Sequence, residues 1–183
     1  MKKPLLFVGM ILVLTICISC KKLIQAVFPD KDIALETLKI SVPPTPFADS
    51  SNEIALGSFD TYVNTDSIVR SETGGVFGIN SIASIKVKEI TIKATNADEL
   101  NNVSAFKSFR IAISSDAKPQ PTNIVNIDIP SSATDSYRAS VSNSPDITGY
   151  LKGTNITYSI YGNLRQATTK TLKLSCNIVV RAD

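Results

Sequence analysis

The chain has 183 residues, of which 19 are Lys or Arg and 16 are Asp or Glu, and it contains no histidine and no tryptophan. Without histidine, imidazole metal sites and catalysis by Ser-His-Asp or Cys-His sets are excluded. The formal net charge of +3 is too small to indicate the basic surface that nucleic-acid binding needs, so we expect no nucleic-acid partner.

The first element along the chain is a hydrophobic segment that follows two positive charges. Lys2 and Lys3 precede an apolar run over residues 5–18, interrupted only by Gly9 and Thr15. A charged start followed by an apolar stretch is typical of a secretion signal. The run is shorter than the roughly 20 residues that a membrane-spanning helix requires. The sequence therefore predicts an exported chain rather than one with a permanent transmembrane helix.

The end of the apolar run resembles the lipobox of bacterial lipoproteins. Its residues are Ile18-Ser19-Cys20, preceded by Cys17 where the family pattern usually has Leu. The resemblance implies that a signal peptidase cuts between Ser19 and Cys20, so that residues 1–19 are removed. It also implies diacylglycerol on the Cys20 thiol and an acyl chain on the new amino terminus, with no other cofactor. The alternative is an ordinary signal peptide in which Cys20 is incidental.

Residues 20–33 are predicted to be the lipidated N-terminus and a short tether to the folded domain. Pro29 stops any helix in this segment. Its four apolar residues fall on one side of a short helical turn, next to two lysines suited to anionic headgroups. These membrane-proximal residues are Lys21, Lys22, Leu23, Ile24, Val27 and Phe28. The sequence is equally compatible with apolar tether residues that pack on the domain or are disordered.

From residue 34 to residue 183 the sequence predicts one β-rich domain. Apolar and polar residues alternate with a period of two, which is typical of half-buried strands. No segment sustains an apolar stripe at helical spacing over three turns. The predicted strands lie at about residues 38–42, 54–63, 82–94, 109–114, 125–129, 137–141, 156–161 and 172–181.

Several places in this pattern indicate irregular structure. Gly57 is expected to form a β-bulge in the second strand. The alternation slips at residues 88–89, which indicates another bulge or a strand that changes sheets. Residues 64–66 are interpreted as a turn, after which residues 68–69 continue the strand pairing. Residues 162–163 are expected to open a loop.

Two segments between strands predict single helical turns. Residues 101–102 precede the first, and residues 144–146 resemble the cap that opens the second. The pattern as a whole predicts an all-β fold, an antiparallel β-sandwich of about seven or eight strands with one or two single-turn helices. The domain loosely resembles immunoglobulin-like sandwiches and the late-embryogenesis-abundant sandwich, a likeness of fold that implies no function.

Candidate catalytic groups are few. Cys176 lies on the apolar face of the last predicted strand, where we expect a buried and unreactive thiol. The carboxylates are scattered near turns, as at Asp60, Asp98 and Asp116. A glycosidase needs two acids that face each other, whereas turn capping explains these residues well. We therefore expect no catalytic site and no metal site.

Three functions are compatible with these features. The leading one is a non-catalytic, lipid-anchored envelope module that binds or scaffolds a protein, glycan or lipid partner at the membrane. The alternative is a carrier or sensor of an apolar, lipid-like ligand held between the sheets, and a hydrolase that uses only Asp and Glu is the least favoured. Lys21 stands where some inner-membrane lipoproteins have Asp, so the family resemblance implies the outer membrane. Surface export in some bacteria needs acidic residues just after the cysteine, and residues 21–24 have none, which favours the periplasmic face over the alternative, the cell surface.

Overall fold

The computed structural model describes residues 31–72, 74–132 and 135–182. Within these ranges two helices, α1 (Thr65–Glu72) and α2 (Thr148–Leu151), and two 3-10 turns, Ile79–Ser81 and Val103–Ala105, lie between nine strands. The strands are β1 (Lys31–Ala34), β2 (Leu38–Val42), β3 (Ile54–Tyr62), β4 (Ile85–Ala94), β5 (Phe106–Ser115), β6 (Thr122–Asp128), β7 (Ser136–Ser140), β8 (Asn155–Leu164) and β9 (Leu172–Ala182).

The strands form two antiparallel sheets, which confirms the predicted β-sandwich. In the first sheet β9 pairs with β4 on one side and with β1 and β2 on the other, and β7 pairs with β4. The second sheet has the order β3-β8-β5-β6. Strand β1 was not predicted. It includes residues 31–33, which the sequence analysis placed at the end of the tether and which pair with β9.

The core lies between the two sheets and is built by the alternation of side chains along each strand. The side chains that β9 directs into it are Leu172, Leu174, Cys176, Ile178 and Val180, all buried as predicted. Burial of a large apolar side chain contributes about 1.5–3 kcal/mol. The sandwich is therefore stabilised mainly by aliphatic packing.

Both predicted bulges are present. The β3–β8 register shifts at Gly57, and the β4–β9 register shifts between Val87 and Glu89. An inserted residue moves the alternation by one position. Val87 before the second bulge and Ile90 after it are consequently both buried, so β4 contributes to the core along its whole length.

The prediction for residues 64–72 was wrong, because this segment forms helix α1 instead of a turn and a continued strand. The side chain of Asn64 caps the helix by accepting a hydrogen bond from the Ser67 backbone N–H at 2.9 Å. Arg70 donates to Asp66 one turn away at 2.6 Å, a spacing that favours a helix. A helix of two turns is too short to show a helical apolar period, and its adjacent residues Ile68 and Val69 look like a strand.

The prediction of a loop at residues 162–163 was also wrong, because β8 continues to Leu164 between β3 and β5. Gly162 serves close packing there: a Cβ at this position would lie 3.0 Å from the Ser108 carbonyl oxygen. The two predicted single turns are present at Val103–Ala105 and Thr148–Leu151. None of the helices in the described ranges has the length and apolar character to cross a bilayer.

Candidate functional site

The residues predicted to carry the lipid anchor lie outside the described part of the chain, and their assignment stays a prediction. They are the cleavage site at Ser19 and Cys20 and the tether residues Lys21, Lys22, Leu23, Ile24, Val27 and Phe28. The structure does define how the chain joins the sandwich after them. Asp32 in β1 forms ion pairs with Lys88 and with Arg181, and their hydrogen bonds hold the pKa of Asp32 below its ordinary value.

The carboxylates that the sequence analysis singled out make structural hydrogen bonds. Asp98 pairs with Lys170 at 2.5 Å, and the hydrogen bonds from Lys170 and Asn101 hold the pKa of Asp98 well below its usual range. Asp116 accepts hydrogen bonds from the backbone and the hydroxyl of Thr154 at 2.9 Å each, which lower its pKa as well. Carboxyls with lowered pKa values are ionised at neutral pH and are poor general acids.

Two further groups were candidates for chemistry. The Asp60 carboxylate in β3 accepts a hydrogen bond from the Thr157 hydroxyl at 2.6 Å. Cys176 is buried in the core, as predicted, and burial raises the pKa of its thiol to about 12. Across the described ranges, no group of three or more Cys, Asp and Glu side chains is placed to hold a metal ion.

A polar cleft of about 400 Å³ lies on one side of the sandwich, between β6 and the end of β7. Its walls are residues 123–126 and residues 140–143. Each wall is a run of consecutive residues, whose side chains point alternately to opposite faces of a strand. The cleft is therefore bounded by the main-chain edges of the two strands. On the opposite side of the sandwich β2 and β3 are in contact, whereas the cleft lies between β6 and β7.

The ladder between β5 and β6 shows which main-chain groups of β6 face this cleft. Ile129, which directly follows β6, donates its backbone N–H to the Lys107 carbonyl at 2.8 Å. Successive residues of an antiparallel strand direct their N–H and C=O groups to opposite edges. Ile127 is paired with Phe109 of β5, and its main-chain N–H and C=O point to β5, as the N–H of Ile129 does. Asn126 therefore presents its N–H and C=O to the cleft.

The same reasoning applies to the other wall. Val141 donates its backbone N–H to the Lys88 carbonyl of β4 at 2.8 Å. Ser140, one residue earlier, consequently directs its main-chain groups away from β4 and towards the cleft. Two strand edges that have no pairing partner in the described part of the chain thus line the cleft.

The polar side chains around the cleft are uncharged. Asn123 accepts a hydrogen bond from Arg110 at 2.7 Å through its carbonyl oxygen. The other four make no side-chain hydrogen bond within the described ranges; they are Asn126, Ser140, Ser142 and Asn143. Their exposed amide and hydroxyl groups, with the two strand edges, form a surface rich in neutral donors and acceptors.

An apolar cavity of about 190 Å³ lies elsewhere in the sandwich, next to β1 and α1. Glu36 and Tyr158 also contact it, and burial raises the pKa of Tyr158 to about 12. An engineered apolar cavity of about 150 Å³ holds benzene, whereas pockets for larger ligands measure about 300–1,000 Å³. The cavity thus has room for one ring or a short aliphatic group. Its main apolar lining consists of Ile33, Leu35, Val63, Ile85, Ile156 and Val180.

The sequence predicted neither the residues that line the cleft nor those that line the apolar cavity. The one available signal for the cleft is the wall segment Asn-Ile-Val-Asn at residues 123–126, which lacks charge and proline. Natural sheet edges usually carry such protective residues, but the sequence does not reveal which strand is an edge.

Comparisons with known proteins identify no family. No family model and no curated protein matches the chain. Among solved structures, the chain is similar to the structure of infectious bursal disease virus Gx strain, with 11% sequence identity and a TM-score of 0.38. The match covers 84% of this chain and 32% of the viral chain. The Triatoma virus empty capsid is 12% identical, with a TM-score of 0.33, and the match covers 84% of this chain and 87% of the capsid chain.

A third similar structure is the Clostridium thermocellum endo-1,4-beta-D-xylanase 10B with its CBM22-1 and GH10 modules, at 15% identity, coverage of 80% and 29%, and a TM-score of 0.29. The chain spans about a third of the length of the bursal disease virus chain that it matches. At identities and TM-scores this low, the likenesses say nothing about function.

Proposed function

We propose that this chain is a non-catalytic, lipid-anchored module of the bacterial cell envelope that binds a partner at the membrane. The observation that carries the binding role is the polar cleft, where two unpaired strand edges meet uncharged amide and hydroxyl groups. Proteins usually cover or protect strand edges that present unpaired main-chain groups, so an open cleft lined by two such edges favours a surface that a partner completes.

The anchor in this proposal rests on the Ile18-Ser19-Cys20 pattern. Each buried CH₂ of an acyl chain contributes about 0.8 kcal/mol, and two or more chains hold a protein stably at a bilayer. Lys21 and Lys22 then lie close to the headgroups and orient the domain. We place the module at the outer membrane, facing the periplasm, because no acidic residue follows Cys20 directly.

The non-catalytic part is supported by the use of the acidic side chains. Asp98 and Asp116 accept hydrogen bonds from backbone and side-chain donors, and their pKa values are lowered. Catalytic acids usually have pKa values raised towards neutral pH. These carboxylates act instead as turn-forming groups.

The anchor is tested by labelling cells with palmitate. Wild type is expected to take up the label and to fractionate with membranes, whereas Cys20→Ala loses both properties. Cys176→Ala is the matched control and is expected to retain the label, because Cys176 is buried in the core. Labelled Cys20→Ala, or unlabelled wild type in the soluble fraction, would show that the anchor proposal is wrong.

The binding role is tested by crosslinking in intact membranes, with wild type compared against Cys20→Ala. We expect a partner that is crosslinked to wild type and lost when the anchor is removed. Protease treatment of intact cells should leave the domain uncut if it faces the periplasm. Removal of the domain by external protease would overturn that placement.

A carrier or sensor of an apolar ligand is the second candidate, and the apolar cavity next to β1 favours it. Its volume of about 190 Å³ limits the ligand to a small ring or a short chain. Benzene and indole are suitable probes. A ligand that binds only the folded state raises the unfolding temperature, and the shift grows with the logarithm of the ligand concentration above Kd. Val63→Phe would fill the cavity and abolish the shift, and a wild type that shows no shift would rule this candidate out.

A further inference from the structure

We propose that the polar cleft binds an extended peptide segment, which adds to the free edge of β6 as a new antiparallel strand. This inference rests on the proposed binding function and narrows the partner from protein, glycan or lipid to a protein with an exposed extended segment. The cleft shares no lining residue with the apolar cavity and none with the predicted anchor and tether, residues 20–33.

The main-chain geometry of β6 carries the proposal. Asn126 turns its N–H and C=O away from β5 and towards the cleft, as the Ile129–Lys107 hydrogen bond and the register of β6 indicate. Asp128, two residues further, has the same orientation because the direction alternates with a period of two. An added strand forms its main-chain hydrogen bonds with alternate residues of this kind.

The edge of β6 is better suited to pairing than the edge of β7. Strand β6 has seven residues and β7 has five. β6 contains no Lys, Arg or Pro, and Asp128 is its one charged residue. β7 carries Arg138, which forms an ion pair with Glu89 at 2.6 Å. Charged and proline residues are the usual means by which proteins prevent pairing at an edge, and the β6 wall lacks them.

The chemistry of the cleft disfavours the other partner classes. Its described lining contains no aromatic side chain on which a sugar ring could stack and no charged side chain to bind an anion. The apolar side chains of Ile124 and Val125 are buried in the core, which leaves the half-buried Val141 as the main apolar side chain that the cleft offers to a lipid. Neutral donors and acceptors suit a peptide backbone.

The side chains that remain unpartnered add to this. Asn126 on one wall and Ser140, Ser142 and Asn143 on the other can hydrogen-bond to the peptide backbone or to small polar side chains. The β5–β6 register shifts between Ile111 and Ala112, and this bulge limits regular pairing to the part of β6 that follows it. We therefore expect a short segment, centred opposite Asn126.

The test begins by selecting peptides from a random displayed library on the immobilised, full-length mature protein. Peptides that bind the empty support are removed, and the remaining peptides are tested against the Asn126→Pro variant. Proline at this position deletes the N–H that faces the cleft and leaves the ladder to β5 intact, as is tolerated on edge strands. Affinities of the selected peptides are then measured by fluorescence anisotropy.

We expect Asn126→Pro to weaken peptide binding about tenfold or more, because the peptide loses one or more main-chain hydrogen bonds to β6. Ser136→Pro is the matched control. The Ser136 N–H also points away from β4, because Ser136 lies four residues before Ser140 in β7, but Ser136 does not line the cleft, so binding should change by about threefold at most. N-methylation of successive amides in the peptide should abolish binding at every second position, because an added strand donates with a period of two.

A second variant keeps the test valid if Asn126→Pro fails to fold. Ser142 is exposed and lies in the loop after β7, so Ser142→Trp fills the cleft without disturbing the core. It should block the peptide, whereas Ser50→Trp, at an exposed serine in another loop, should not.

Three results would overturn the proposal: no selected peptide distinguishes wild type from the cleft variants, methylation shows no alternation, or a neutral oligosaccharide displaces the peptide. A membrane partner whose crosslinking is unaffected by Asn126→Pro and Ser142→Trp would remove this inference while the binding-module proposal stands. Absence of palmitate labelling in wild type would contradict the anchor proposal. It would leave the peptide-binding inference standing if the purified domain still binds the selected peptides.

Discussion

Asp146 provides the sharpest test of the interpretation that acidic side chains in this protein are structural. One of its carboxylate oxygens accepts three hydrogen bonds: from the Thr148 backbone at 3.0 Å, from the Thr148 hydroxyl at 2.6 Å and from the Ile85 backbone at 3.1 Å. It thereby joins the turn that opens α2 to the first residue of β4. We predict that Asp146→Ala separates these two elements.

The cost follows from the donors that lose their acceptor. Replacing a capping residue by Ala costs about 1 kcal/mol and up to about 2 kcal/mol. The second tie, to Ile85, places the expected loss in the upper half of this range. For a domain of this size about 2 kcal/mol lowers the unfolding temperature by roughly 4–8 °C. The carboxylate itself is exposed, so water replaces part of what is lost and a larger effect is not expected.

The effect of pH has a definite sign. Burial raises the pKa of Asp146, but the hydrogen bonds from Thr148 and Ile85 outweigh it and hold the pKa below its ordinary value of 3.8. The ionised form therefore contributes stability above about pH 3.8, and this contribution is lost as the pH falls through the lower pKa of the folded state. The difference between wild type and Asp146→Ala should shrink towards pH 2.

Urea denaturation followed by far-ultraviolet circular dichroism at pH 7 and at pH 2–3 measures both effects. Asp60→Ala is the matched control: Asp60 accepts one hydrogen bond, from a side chain, and its loss should change the free energy of unfolding by less than about 0.5 kcal/mol. If Asp146→Ala is as stable as Asp60→Ala at pH 7, the structural role assigned to Asp146 is wrong.

Three further predictions concern the core and are measured by thermal denaturation or thiol labelling. Thr65→Val should raise the free energy of unfolding by about 1 kcal/mol, because the Thr65 hydroxyl is buried with no hydrogen-bond partner in the described ranges. A variant less stable than wild type would contradict this. Maleimide should label Cys176 of the folded wild-type protein about 1,000-fold more slowly at pH 8 than an ordinary thiol, since burial raises the pKa of Cys176 from 9.0 to about 12. Rapid labelling of the folded protein would refute its burial. Gly162→Ala should lower the free energy of unfolding by about 1–3 kcal/mol, because the new Cβ meets the Ser108 carbonyl oxygen. Gly149→Ala should lower it less, since its Cβ meets only the flexible Lys118 side chain. Equal effects of the two substitutions would argue against the close approach at Gly162.

Strand positions were predictable to the extent that burial alternates locally. In β9 every second residue is buried, and in β4 a single slip in the alternation revealed the bulge after Val87. The prediction failed at helix α1, where Asn64 and Asp66 form capping and ion-pair contacts. These contacts decide the conformation of Ile68 and Val69, and an apolar pattern of two residues does not contain that information.

The sequence by itself determined the sandwich class and carries the prediction of a lipid anchor at Cys20, because both depend on patterns within a few consecutive residues. The edges of the sheets were decided only by the tertiary structure. Strands β6 and β8 both alternate apolar and polar residues, yet β8 is central and β6 is an edge. Strand order depends on hydrogen bonds between residues far apart in the chain, which local periodicity does not encode. Among the described residues β6 pairs on one side only, with β5, and this leaves the cleft beside Asn126 open.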